Sequence, residues 1–136
     1  MNTKQRQSRA ASFEGLIMAA EAAGDAAAQA CRPRPIIIGS PKDGIFGNEI
    51  DYSKTTYYES DGLCGFAWIN IKPGTSAFAR HLRASGRARA DYYYGGVTVW
   101  VSGYNQSVER KEAYARAYAK VLSDAGITAT SDSRLD

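Results

Sequence analysis

The chain has 136 residues, 44% of them hydrophobic and 23% charged, with a net charge of +3. One domain is the expectation at this length, and nine tyrosines, four phenylalanines and two tryptophans exclude a chain that buries nothing. A membrane span is excluded too, because the longest apolar stretch, 16–30, is broken by Glu21, Gly24, Asp25 and Gln29 and falls short of the ~20 residues a bilayer requires.

Residues 1–11 read as a flexible polar terminus and 12–136 as one domain, with a helix over 12–31, a strand and loop over 35–53 and a core over 54–136. The basic residues Lys4, Arg6 and Arg9 are followed by an alanine-rich run that carries acids, which is a poor secretory leader, so a cytosolic setting is expected. Ser12 is the expected N-cap of the first helix, with Glu14 in its first turn and Phe13, Leu16, Ile17 and Ala20 on one face. The alanine-rich continuation favours helix and invites close packing against another helix, hence a homodimer. Pro33 and Pro35 stop it. Pro35–Ile38 is β-branched and suits a buried strand, and 39–47 has loop chemistry.

Residues 54–59 and 63–72, joined by Ser60, Asp61 and Gly62, predict a β-hairpin. After Pro73 and Gly74, Thr75 or Ser76 caps a short helix bearing Phe78, Ala79 and Leu82, and Gly86 ends it. Strict alternation predicts a strand over 97–102. Ser107 caps a helix with Tyr114, Tyr118, Val121, Leu122 and Ala125 on one face, while Glu112, Arg116 and Lys120 are spaced four apart towards solvent. Gly126 terminates it, and 127–130 forms a last strand. The fold class that follows is α+β: a single mixed sheet with a β-hairpin and helices packed on one face, preceded by the alanine-rich N-terminal helix.

The chemistry-bearing residues fall into three groups. In 63–72, Ala67, Ile69 and Ile71 alternate with Phe66, Trp68 and Asn70; in 97–102, Val97, Val99 and Val101 alternate with Thr98, Trp100 and Ser102. Each strand thus has an aliphatic side and a side carrying a tryptophan. Either the N-terminal helix or a neighbouring subunit covers Trp68 and Trp100, or they form an open platform on which bases stack. Residues 63–95 hold five basic groups and one acid. There Arg80, Arg83, Arg87 and Arg89 precede Tyr92, Tyr93 and Tyr94, a mixture suited to phosphates and bases, to a protein partner, or to a solvated helix face followed by packing tyrosines. The third group is Tyr104 to Ser107 with Arg110 and Lys111, read either as an anion site at a helix entrance or as plain capping.

Other chemistries find little support. A zinc site needs four ligands or three plus water, and Cys31, Cys64 and His81 could supply three only by a long-range coincidence; the thiols are expected to be buried and free, so neither a metal nor a cofactor is expected. Gly39 and Gly44 have P-loop spacing, but Ile45 and Phe46 stand where lysine and serine or threonine belong. Glu49, Asp51, Glu59 and Asp61 form an acidic stretch in loop positions, where solvated acids are common. A small hydrolase would have to use His81, and there is no GxSxG elbow.

The segments Cys64–Trp68, Phe78–Leu82, Tyr93–Val97, Trp100–Val101 and Gln106–Ala115 together resemble small uncharacterised proteins encoded by tailed bacteriophages, over about residues 62–136. The resemblance implies a small accessory protein in the host-cell cytoplasm or the virion, and carries no site residues with it. The resulting expectation is a non-enzymatic protein that binds single-stranded nucleic acid or another phosphate-bearing ligand through arginine, tyrosine and stacked tryptophan. The alternatives are a protein–protein module, either a phage inhibitor of a host factor or a virion component, and the hydrolase at His81.

Overall fold

The computed structural model describes residues 1–42 and 49–136. The first helix, α1, runs Thr3–Ala30. A capping box opens it: the Asn2 side chain accepts from the Gln5 amide at 2.8 Å, and the Gln5 side chain accepts from the Asn2 amide at 3.0 Å. The polar segment is therefore helical from Thr3 onward rather than a loose tail. Gln, Lys, Arg and Ala are strong helix formers, and Ser12, expected as the cap, instead lies mid-helix with its hydroxyl donating to the Ser8 carbonyl at 3.2 Å. The helix ends at Cys31, ahead of Pro33 as expected.

Two short strands follow, β1 (Ile36–Ile38) and β2 (Tyr57–Glu59), paired antiparallel with Ile37 opposite Tyr58. Ile37 and Ile38 are exposed, so the isoleucine run is not the buried strand its composition suggests; it belongs to a two-stranded ribbon outside the main sheet. The expected hairpin between 54–59 and 63–72 is not made, because β2 takes β1 as its partner. Gly44, Ile45 and Phe46 of the P-loop-like spacing, and much of the 39–47 segment, fall in 43–48, outside the described residues. Arg34 anchors the entry to the ribbon: its amide donates to Glu109 at 2.8 Å and its guanidinium at 3.2 Å, and that amide bond chiefly holds the Glu109 carboxyl below its usual range.

The main sheet contains β3 (Gly65–Lys72), β4 (Arg89–Ala90), β5 (Val97–Trp100) and β6 (Thr128–Leu135), in the order β4-β5-β3-β6. Every ladder is antiparallel, so the α+β class stands while the parallel pairings of a mixed sheet are absent among the described residues. β6 is much longer than the expected 127–130, and β4 has no counterpart in the sequence reading. Between strands lie α2 (Ala77–Ala84), capped by Ser76, and α3 (Val108–Asp124), capped by Ser107, both close to their expected bounds.

All three helices pack over one face of this sheet. Ala67, Ile69 and Ile71 of β3 are fully buried against Phe78, Ala79 and Leu82 of α2, Ala115, Tyr118 and Leu122 of α3, and Ile17 and Ala20 of α1. The small residues of α1 act within the chain: Ala20, Gly24 and Ala28 are buried, and a Cβ at Gly24 would sit 2.7 Å from the Tyr114 ring of α3. The alanine stripe expected to favour a dimer thus packs against α3.

This contact yields a paired prediction. Gly24→Val should destabilise the protein by about 1–3 kcal/mol through overpacking. Gly15→Ala, on the same helix with nothing within 4 Å of the added methyl, should stabilise it by roughly 0.5–1 kcal/mol. Urea denaturation of the two variants beside the parent checks both signs.

Candidate functional site

Register brings the two tryptophans together. Trp68 of β3 pairs directly with Trp100 of β5, with ring centroids 5.1 Å apart, and Phe66 lies edge-on to Trp100 at 6.3 Å. They occupy the sheet face opposite the helices. Trp68 is 8% exposed and Trp100 49%, so one ring is seated and the other is presented.

A loop, 91–96, borders this face and is pinned by one carboxylate. Asp91 accepts from the amides of Tyr93 and Tyr94 at 2.9 and 2.8 Å and from the Thr98 hydroxyl at 2.7 Å. These bonds, the Tyr94 amide foremost, hold its pKa below the ordinary value. Asn70 donates from its side chain to the Gly95 carbonyl at 2.8 Å. Gly96 needs its positive φ of 68°, and a Cβ there would collide with the Ile71 carbonyl. The polar side chains Asn70 and Thr98 are buried beneath the loop with their bonds made, while Tyr92 and Tyr93 above it are 97% and 86% exposed.

Loop and sheet enclose a hollow of about 640 Å³. Its floor is Trp68, Thr98 and Trp100, one wall is 89–94, and the other is Asp132, Ser133 and Arg134 of β6. No helix contributes a lining residue. The N-terminal helix therefore does not cover the tryptophan face. Arg89 and Arg134 supply positive charge at opposite sides, and the Arg134 guanidinium lies 5.4 Å from the centre of the Phe66 ring. A last strand ending at Thr130 leaves out these β6 residues, which lie beyond it. The signal that could have found them is the continued alternation of Thr128, Thr130, Asp132 and Arg134 with Ala129, Ser131 and Ser133.

The other expected site residues are not brought to this hollow. Arg87 donates twice to Glu14, at 2.9 and 2.7 Å, and His81 Nε2 contacts the same carboxylate at 2.8 Å, so both tie α2 and the segment after it to α1. Among the described residues Glu14 is the only side-chain hydrogen-bond partner of His81. Arg110 donates to the Ala28 carbonyl at 2.9 Å and lies 3.7 Å from Asp61. Lys111 is buried, donating to the Gly65 carbonyl at 3.1 Å with its ammonium 5.4 Å from the Phe66 ring. The Tyr104 hydroxyl donates to Asp25, and burial chiefly, with that carboxylate, pushes its pKa up. Burial likewise pushes its neighbour Tyr114 up to about 12. Ser107 accepts from the Arg110 amide at 3.4 Å. The helix entrance at Tyr104–Lys111 is thus a structural joint of caps and ties. Arg80 and Arg83 are exposed on α2, away from the hollow.

The thiols also differ from expectation. Cys31 is half-buried and Cys64 exposed, because one ends α1 and the other precedes β3 at the rim. Among the described residues no three His, Cys, Asp or Glu side chains gather as metal ligands, and no helix is long and apolar enough to cross a membrane. No family model, curated protein or solved structure matches the chain.

The Glu14 cluster gives a pH prediction. Hydrogen bonds from Arg87 first and His81 second hold Glu14 below its ordinary 4.5. A depressed carboxyl stabilises the fold fully above its unfolded value and loses that contribution as pH falls through the folded one. Glu14→Gln should therefore have a lower Tm than the parent near pH 7, and the gap should close as pH falls below the ordinary carboxyl value of 4.5 and through the lowered folded one. Thermal unfolding across that range checks it; a gap independent of pH would show that the cluster contributes nothing through charge.

Proposed function

We propose that the protein is a non-enzymatic binder of single-stranded nucleic acid, taking unstacked bases into the aromatic hollow. The observation that carries this reading is the Trp68–Trp100 pair at the floor of an open hollow on a helix-free sheet face. Stacking on aromatic side chains is sequence-tolerant and contributes roughly 1–3 kcal/mol per base. Trp100 offers a ring face, as do Tyr93 and Tyr94, which meet edge to face with centroids 4.6 Å apart, while Arg89 and Arg134 could meet the flanking phosphates. A volume of about 640 Å³ falls in the range of small-molecule sites and suits a nucleotide.

The tailed-phage resemblance belongs to the same proposal and implies a setting in the host cytoplasm or the virion. A protein partner is the second reading, favoured by the near-complete exposure of Tyr92 and Tyr93, since tyrosine and arginine are enriched at binding hot spots. The two differ in salt dependence, because only phosphate binding releases condensed counterions.

The test is fluorescence anisotropy of labelled single-stranded DNA and RNA at ~50 and ~200 mM salt, the range in which phosphate contacts reveal themselves. Trp100→Ala should weaken binding about tenfold or more, with little effect on stability because the ring is already half exposed. Arg89→Ala and Arg134→Ala should each flatten the salt dependence by about 0.7 in log–log slope. Trp68→Ala is unsuitable, since emptying a buried tryptophan site costs roughly 3–5 kcal/mol of stability. No binding at either salt, or an unaffected Trp100→Ala variant, would turn the hollow over to the protein-partner reading.

A further inference from the structure

The buried seam of α1 recurs at Phe13, Ile17, Ala20, Gly24 and Ala28, the spacing of one helical stripe. Continued towards the N-terminus, the same stripe falls on Arg9 and Arg6. The Arg9 guanidinium lies 5.9 Å from the centre of the Phe13 ring, which places it on that face. Residues 1–9 are all exposed, so about two helical turns, ~10 Å, overhang the domain. Where α1 leaves the core, its inward stripe changes from apolar to arginine.

Phe13 marks where the domain ends. It packs on Phe78 at 5.4 Å and on His81 at 5.5 Å, so α2 lies directly beside the start of the overhang. The outer side of α2 adds the exposed Arg80 and Arg83. Lys4 flanks the arginine stripe. There is no acid among residues 1–13 or 77–90, and the nearest, Glu14, is engaged by Arg87 and His81. Among the described residues Lys4, Arg6, Arg9, Arg80 and Arg83 form no ion pairs.

The geometry points to a second binding surface, the basic overhang of α1 with the outer side of α2, whose occupant is the phosphate backbone of duplex nucleic acid. Five cations without ion-pair partners, with the nearest acid Glu14 already held by Arg87 and His81, complement a polyanion. An anionic membrane fits less well, because 3–12 has no large apolar side chain with which a helix could enter the lipid boundary. The surface does not rest on the aromatic hollow. A duplex keeps its bases stacked and offers Trp100 nothing, so the two proposals fail separately.

The test uses the full chain, a labelled blunt-ended DNA duplex of about 20 base pairs and ~50 mM salt, where backbone binding is strong. The triple variant Lys4→Gln, Arg6→Gln, Arg9→Gln keeps good helix formers and should leave Tm unchanged. Its duplex affinity should fall at least tenfold, and its log–log salt slope should drop by about 2–3, at roughly 0.9 per phosphate. Arg80→Gln with Arg83→Gln should weaken binding in the same way and additively. Trp100→Ala should leave duplex binding intact, whatever it does to single strands. The proposal is overturned by a parent chain that does not bind the duplex, by a triple variant that binds it as the parent does, by loss of duplex binding in Trp100→Ala, or by stronger binding to phosphatidylserine vesicles than to DNA.

Discussion

The seam of small residues on α1 governs what the rest of the molecule can present. Ala20, Gly24 and Ala28 bring α1 close enough for the Tyr114 ring of α3 to lie on the bare backbone of Gly24, and α2 closes on the same helix through Phe13 and Phe78. With all three helices held together over Ala67, Ile69 and Ile71, none remains to cover the opposite side of the sheet. A tryptophan face that would be core in a three-layer protein is left as surface.

Within that arrangement the cations sort by whether they have found a carboxylate or a carbonyl. Arg87 and Arg110, although near in sequence to exposed arginines, are spent on Glu14 and on Ala28 of α1, and Lys111 is spent on Gly65. Each such tie joins elements far apart in the chain; Arg87 and Glu14 are 73 residues apart. Among the cations without an ion pair, Arg89 and Arg134 border the aromatic hollow, while Lys4, Arg6 and Arg9 lie along the overhang of α1 and Arg80 and Arg83 on the outer side of α2. A basic stretch of sequence is therefore not the same object as a basic surface.

Local signals were legible wherever a residue type has a single structural use. Serine caps placed α2 and α3 almost to the residue, Gly86 and Gly126 marked their ends, and alternation in two separate strands put Trp68 and Trp100 on matching faces. Pairings were not legible, because β2 could join β3 through a short turn or reach back to β1, and only the folded chain decides. The start of α1 was missed because a capping box of Asn and Gln in a polar segment resembles a solvated tail. β6 was read too short because its residues are small and polar, and its strand character comes from pairing with β3 along its whole length. The hollow was half visible: the floor and the tyrosines were expected, the Arg134 wall was not.

The hold of Asp91 on the tyrosine loop has a kinetic consequence. The amides of Tyr93 and Tyr94 and the hydroxyl of Thr98 all converge on one carboxylate before any ligand arrives, so the loop backbone is already ordered. Ordering a loop on binding normally subtracts from affinity, and here that subtraction has been made during folding. The loop backbone that carries the tyrosines is a rim held in place and not a lid. A ligand of the kind proposed would enter without an opening step, and its lifetime would be set by how tightly it stacks, not by motion of the loop backbone beside it.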